Sequence, residues 1–218
     1  MDKFIDKSTF LAALHDGQSI MVGGFMAVGT PEMFIDWIVE SNVKDLTIIC
    51  NDAGFEHRGV GKLIANNQVK KLIASHIGLN PDAGKKMSQG ALTIELVPQG
   101  TLAEQIRAHG AGLGGILTPT GIKTIVEENK QKIIVNDQAY LLEVALGADL
   151  ALIEARTSDA YGNLVYDKTA RNFNPIMATA AKHVFAYVHH VVKQLDPEIV
   201  VTPHIFIDGI VQKEANHD

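Results

Sequence analysis

The chain has 218 residues, 46% of them hydrophobic, and a formal net charge of -6, so it can form one large domain or two small ones. The acidic balance excludes a nucleic-acid platform, because no excess of Lys and Arg is present to neutralise phosphates. The single cysteine, the absence of an apolar N-terminal segment and the lack of a run of about 18 apolar residues predict a cytoplasmic protein without a disulfide or a membrane span.

Apolar segments alternate with helical patterns through the first 110 residues. The sequence predicts strands at 18–24, 45–51, 70–75 and 92–97, and helices at 31–42, 60–67 and 99–109. Pro31 suits the first turn of its helix, with Thr30 as the N-cap. Because the strands are continuous apolar runs that alternate with helices, we expect an α/β fold with a largely parallel sheet and helices on both faces.

The pattern changes after residue 110. Segment 110–121, GAGLGGILTPTG, predicts a long glycine-rich loop, and segment 132–143 predicts a small hairpin insertion that turns at Asn136-Asp137. Segment 149–155 predicts another buried strand, and 170–188 predicts a loop, a short helix and a strand. No change in composition marks a linker, so we expect residues 1–218 to form a single domain.

Three glycines follow the first predicted strand, in the stretch IMVGGFMAVGTPEM. Gly23, Gly24 and Gly29 either adopt positive φ or let a ligand approach the main chain at the carboxyl edge of the sheet. The helix N-terminus beyond them favours an anion, although a tight turn without a ligand fits the spacing equally well. A P-loop is excluded because Thr30 replaces its lysine, and the Gly-x-Gly-x-x-Gly match at 110–115 follows a helix where a dinucleotide site needs a strand.

Several longer blocks carry a family resemblance: DGQSIMVGGFMAVGTP (16–31), VPQGTLAEQIRAHGAGLGG (97–115), LTPTG (117–121), GNLVYDKTARNFNP (162–175) and LDPEIVVTP (195–203). Together they resemble the alpha subunit of class I coenzyme A transferases, most closely the short-chain acid type that uses acetate, acetoacetate or butyrate. The resemblance implies a CoA-transferase-like open sandwich. It also implies a beta-subunit partner, often in an α2β2 assembly, and no cofactor beyond CoA itself as substrate and carrier.

The resemblance also implies a reaction. A glutamate attacks the acyl thioester, and a glutamyl-CoA thioester then carries CoA to the acceptor acid. In the family that glutamate belongs to the beta subunit, so we expect this chain to be inactive alone. Its own glutamates lie outside the beta-subunit motif: Glu56, Glu95, Glu104, Glu143 and Glu154. Glu154, in a predicted buried strand, is the strongest candidate among them for a functional carboxylate, although a paired structural carboxylate is the simpler interpretation.

The family's site residues map onto two segments here. The glutamine of Pro-Gln-Gly is Gln99, which follows the fourth predicted strand at the carboxyl edge of the sheet. The resemblance implies an oxyanion donor, whereas local sequence favours a helix N-cap or a first-turn side chain bonded to the backbone. The Gly-Gly-Phe loop is implied to bind CoA through Gly23, Gly24, Phe25, Met26, Ala27, Val28 and Gly29. Loop 110–121 is expected to form a wall of the acyl pocket, with plain flexibility as its alternative.

Other residues leave alternatives open. Asn51-Asp52 contact substrate or form a turn, and Arg171 contacts a CoA phosphate or anchors its loop. We expect no metal site, because His189 and His190 point to opposite faces of a strand. A sugar-phosphate isomerase or an effector-binding module on a related α/β fold is the alternative function. It needs a catalytic Asp/His pair near a phosphate loop, and the sequence offers no such grouping.

Overall fold

The computed structural model describes residues 3–213. Its α-helices are α1 (Lys7–Ala12), α2 (Glu32–Ser41), α3 (Gly61–Ala65), α4 (Pro81–Ser88), α5 (Gln99–Gly110) and α6 (Asn174–Met177). Its strands are β1 (Ser19–Val22), β2 (Leu46–Ile49), β3 (Val69–Ala74), β4 (Thr93–Leu96), β5 (Gly115–Thr118), β6 (Lys132–Val135), β7 (Gln138–Val144), β8 (Ala148–Asp159), β9 (Leu164–Val165), β10 (Ala181–Val192) and β11 (Gly209–Gln212). Within residues 3–213 no helix has the length and apolar character that crossing a membrane requires.

Eight strands form the main sheet in the order β11-β10-β8-β1-β2-β3-β4, with β9 attached to β8. All neighbouring pairs along this order are parallel, and only β9 runs antiparallel to its partner. Strands β2 to β4 extend from one side of β1, whereas β8, β10 and β11 extend from the other. The strand order therefore reverses at β1, and ligands of open α/β sheets bind beyond the carboxyl edge at such a reversal.

Both faces of the main sheet are covered. Side chains of α1 to α4 pack with Ile20 and Val22 of β1 in one apolar cluster, and side chains of α5 and α6 pack with Met21 in a second. Neighbouring residues of a strand point to opposite faces, so β1 contributes to both clusters. This arrangement confirms the predicted parallel α/β fold with helices on both faces.

The hairpin insertion is confirmed but is larger than predicted. Asn136 and Asp137 turn between β6 and β7 with φ of 48° and 62°, the left-handed values that a two-residue hairpin requires. The interpretation of 110–121 as loop throughout was wrong, because 115–118 form β5 and pair antiparallel with β7. Glycines dominate the local sequence there, and the pairing partner lies more than 20 residues further along, so local pattern did not reveal the strand.

Some helices and one strand differ from the predictions. The N-cap of α2 is Pro31 and makes no side-chain capping bond, so the prediction of Thr30 as N-cap was wrong. Helices α1 and α4 and strand β11 were not predicted. In α4 only Ala83 is buried, which leaves little helical periodicity to detect, although Asn80 caps the helix by accepting from Ala83 N.

A carboxylate joins the starts of β1 and β8, and its titration gives a stability prediction. Asp149 Oδ1 lies 2.8 Å from Lys182 Nζ, and its Oδ2 accepts bonds from Ser19 N and Oγ at 3.0 and 2.6 Å. The Lys182 bond and then the Ser19 bonds hold the pKa of Asp149 below its usual value. The stabilisation is therefore complete above the unfolded-state pKa near 4 and is lost as pH falls through the lower folded-state pKa.

Asp149→Asn should accordingly lower stability by about 1 kcal/mol at pH 7, because the charge-assisted bonds are weakened. Thermal melts of both proteins between pH 7 and pH 2.5 test this. We expect the difference in Tm to shrink as the pH falls below about 4. A difference that stays constant over this range would show that the ionised carboxylate contributes nothing.

Candidate active site

The loop after β1 is a tight two-residue turn. Phe25 N donates to Val28 O at 3.1 Å, and Val28 N donates back to Phe25 O at 2.9 Å. Met26 and Ala27 occupy the central positions with φ of 48° and 62°, which residues other than glycine rarely adopt. Each such residue costs on the order of 1–3 kcal/mol and persists only where its surroundings impose the conformation.

The glycines that flank this turn are required by other parts of the chain. A methyl group on Gly23 would overlap Asn174 Oδ1, and one on Gly24, whose φ is 119°, would overlap Thr30 Oγ1. Gly29 lies against Asn174 and Ala170. The close approach that the sequence indicated is therefore made by protein side chains, so the glycines by themselves give no evidence of a ligand.

Asn174, at the start of α6, fixes the end of the loop. Its Nδ2 donates to Gly29 O at 2.9 Å and to Ala170 O at 2.8 Å, and its Oδ1 accepts from Glu154 N at 3.0 Å. The side chain is fully buried. The sequence marked this residue only as part of the block GNLVYDKTARNFNP, and its contact with the glycine loop was missed.

The exposed residues of the turn carry apolar side chains. Phe25, Met26 and Val28 are 40%, 43% and 47% exposed, whereas Ala27 and the three glycines are buried. Several loop amides already have acceptors in the protein: Gly23 N donates to Leu152 O, and Met26 N donates to the Asp52 carboxylate. These two amides are therefore not available to a ligand that approaches the main chain of the loop.

Gln99 lies at the carboxyl edge of the sheet, as the sequence predicts, and is the first residue of α5. Its Nε2 donates to Asn51 Oδ1 at 2.6 Å, so the structure brings Gln99 together with a residue that follows β2. Gln99 is exposed, Asn51 is buried, and Ser75 Oγ donates to Asn51 O at 2.7 Å. An amide nitrogen has two hydrogens, and because Gln99 is exposed its second N–H is accessible to a ligand.

Asp52 connects this pair with the glycine loop. Its Oδ2 accepts from Met26 N and from Asn51 Nδ2, both at 2.8 Å, and its Oδ1 accepts from Gly54 N at 3.0 Å. The residue is buried. A continuous chain of hydrogen bonds therefore runs from Gln99 through Asn51 and Asp52 to the main chain of the strained turn.

A cleft of about 580 Å³ lies on the other flank of the turn, where the strand order reverses. Val28 and Gly29 form one wall, and β8 and β10, which continue past the end of β1, form the opposite wall. Glu154 lies in this wall with Oε1 3.2 Å from His189 Nε2. Burial is the main cause that raises the pKa of Glu154, and the nearby His189 opposes that shift. The interpretation of Glu154 as a paired carboxylate is confirmed.

The remaining predicted residues lie apart from this arrangement or are engaged elsewhere. Cys50 is buried, and burial raises the pKa of its thiol, so this side chain is a neutral thiol. Glu143 is buried against Lys130 at 2.6 Å. Arg171 is exposed at the end of a 3-10 turn. Strand β5 and the first turn of α5 border a groove of about 510 Å³.

Comparison with known proteins identifies the family. The coenzyme A transferase family model matches residues 7–213. The chain is 52% identical to the acetoacetyl-CoA:acetate/butyrate CoA transferase alpha subunit of Clostridium acetobutylicum, over 98% of this chain and 99% of the relative. It is also 52% identical to the acetate CoA-transferase subunit alpha of Escherichia coli K12, over 93% of each chain. Both relatives are named as alpha subunits, which implies a beta-subunit partner.

A solved structure shares the fold. The acyl-CoA transferase of E. coli O157:H7, crystallised as a thioester complex with CoA, superposes with a TM-score of 0.88 at 21% identity. The match covers 97% of this chain and 47% of that one, so the present chain spans about half of that enzyme. The family model and the two relatives together carry the assignment: the chain belongs to the coenzyme A transferase family.

Proposed function

We propose that this chain is the alpha subunit of an acyl-CoA:carboxylate CoA-transferase, which moves CoA between a short-chain acyl-CoA such as acetyl-CoA and an acid such as acetoacetate or butyrate. The observation that carries the proposal is the 52% identity to the Clostridium acetobutylicum alpha subunit, which is named for that reaction. The match covers almost the full length of both chains. A beta subunit, in an α2β2 assembly, supplies the nucleophilic glutamate. No cofactor other than CoA as the transferred group takes part.

The chemistry assigns limited roles to this half of the enzyme. The partner's carboxylate attacks the thioester carbonyl and releases the CoA thiolate. That thiolate then attacks the resulting anhydride, so that a glutamyl-CoA thioester forms and the first acid leaves. Negative charge develops on the carbonyl oxygen in each attack, and the second N–H of Gln99 is the donor that stabilises it. Asn51 supports this role because its Oδ1 accepts a hydrogen bond from Gln99 Nε2 at 2.6 Å, which fixes the orientation of the Gln99 amide.

The turn 23–29 contributes binding surface for CoA. The exposed side chains of Phe25, Met26 and Val28 supply apolar contacts for the carrier's arm, and the buried glycines let the turn adopt the shape that presents them. The groove between β5 and α5 begins at the helical turn that carries Gln99, which supports segment 110–121 as a wall of the acyl pocket. The partner's glutamate, and not Glu154, is assigned as the nucleophile, because the family motif that carries the nucleophile lies in the beta subunit. The contact with His189 gives Glu154 a structural partner.

Reconstitution tests the proposal. The chain is produced alone and together with the beta subunit from a neighbouring reading frame, and CoA transfer from acetyl-CoA is measured on a panel that includes acetoacetate and butyrate. We expect transfer only when both subunits are present, because this half lacks the nucleophile. Activity of this chain alone on sugar phosphates, or a mixture that transfers CoA to no acid in the panel, would contradict the proposal.

A further inference from the structure

We propose that Asp52 is a positioning residue, which holds the Phe25–Val28 turn and the Gln99–Asn51 pair in a single arrangement. The proposal rests on the proposed function only for its kinetic test, since the contacts themselves do not depend on the reaction. Asp52 need not touch substrate, because it is buried beneath the turn and acts through Met26 and Asn51.

Asp52 contacts the main chain of the strained turn. Met26 has φ of 48°, and Asp52 Oδ2 lies 2.8 Å from its amide nitrogen. A bond from an amide to a carboxylate is among the stronger hydrogen bonds in proteins, so it favours the conformer that aims this N–H at Asp52. A second loop of the same form serves as an internal comparison. Phe55 and Arg58 exchange two main-chain bonds at 3.1 Å, yet the two residues between them do not have positive φ.

Asp52 also acts on Gln99, through Asn51. An asparagine side chain can present its oxygen or its NH2 group in either direction, and its partners decide which. Asp52 accepts hydrogen bonds and cannot donate when ionised, so it draws Asn51 Nδ2 towards itself at 2.8 Å. Asn51 Oδ1 is thereby directed at Gln99 Nε2. The orientation of the Gln99 amide therefore depends on a carboxylate that it does not contact.

The network requires a carboxylate at position 52. Both carboxylate oxygens face N–H donors, from Met26 and Asn51 on one side and Gly54 on the other. Asp52→Asn keeps the shape but must place its NH2 group against one of these donors. The substitution therefore disturbs the network without removing volume, which separates positioning from packing.

The kinetic test uses the complex with the beta subunit. Asp52→Asn should lower kcat by about tenfold with a smaller change in KM, because the transition-state donors lose their orientation. Asp159→Asn is the matched control. Asp159 is a buried carboxylate that accepts N–H bonds from Tyr161, Gly162 and Asn163 in the turn after β8. We expect this control to lower Tm and leave kcat unchanged, as a purely structural role would.

A double-mutant cycle tests the route through Gln99. In a Gln99→Ala background, Asp52→Asn should lower kcat by at most about threefold. The Gln99 amide, which Asp52 orients through Asn51, is already absent from that background. Equal losses in both backgrounds would overturn the link to Gln99. Should Asp52→Asn fail to fold, Asn51→Ala breaks the same link while leaving the Asp52–Met26 bond, and an unchanged kcat would again contradict it.

Amide hydrogen exchange gives a readout that does not depend on activity. We expect exchange in segment 23–29 to be faster in Asp52→Asn than in the wild type, and unchanged in Asp159→Asn. Wild-type exchange together with wild-type kcat in Asp52→Asn would overturn the proposal. If the wild-type complex transfers no CoA, the proposed function fails, and the exchange result alone then decides the role of Asp52.

Discussion

Gln99→Ala should lower the kcat of the complex by about 100-fold while changing KM for acyl-CoA little, because one oxyanion donor commonly supplies that much transition-state stabilisation. The exposed position of Gln99 means that the substitution removes little packing. Steady-state kinetics with acetyl-CoA and a short-chain acid acceptor measures both constants. Tm should stay close to the wild-type value, so any loss of rate is not a loss of folded enzyme.

Two comparisons make this result specific. Gln99→Glu keeps the size of the side chain and replaces its donor by an acceptor, so it should be at least as impaired as the alanine variant. Gln89→Ala, at the exposed end of α4, should behave as the wild type. A rise in KM with kcat unchanged would mean that Gln99 binds substrate in its ground state and is not an oxyanion donor.

Asn174→Ala should lower the free energy of unfolding by about 4 kcal/mol, because each buried polar group that loses its partner costs about 1–3 kcal/mol. Three main-chain groups lose a partner: Gly29 O, whose bond is buried, and Ala170 O and Glu154 N, whose bonds are partly buried. Urea unfolding of the chain, followed by fluorescence of the single tryptophan, Trp37, measures the change.

Asn172→Ala is the matched control for this stability prediction. Its Nδ2 also donates to two main-chain oxygens, Val28 O at 2.9 Å and Thr169 O at 2.8 Å. Asn172 is only half-buried, so water can replace these bonds and the expected cost is about 1 kcal/mol. Equal losses in the two variants would show that burial of Asn174 does not matter, and the loop would then be held by other contacts.

Local patterns were sufficient for much of the fold. Continuous apolar runs that alternate with helical patterns predicted β1 to β4, because strands inside a parallel sheet covered on both faces are apolar at successive positions. Strand β4 was found by the same pattern although it lies at the edge of the sheet and is largely exposed. Asn136-Asp137 predicted a hairpin, because these residues tolerate the positive φ that the turn demands. Strand β5 escaped detection, since Gly115 to Thr118 are held there by pairing with β7 and not by their own propensity.

The sequence by itself determined the parallel sheet, the hairpin turn and the position of Gln99 at the carboxyl edge, because these follow from periodicity and turn chemistry over a few neighbouring residues. Only the tertiary structure decided why the loop after β1 needs glycine, since the group that approaches it belongs to Asn174, 145 positions beyond Gly29. It also decided that Asp52 joins Gln99 to that loop. Hydrogen bonds between distant segments depend on how the strands are ordered in the sheet, and no local pattern contains that order.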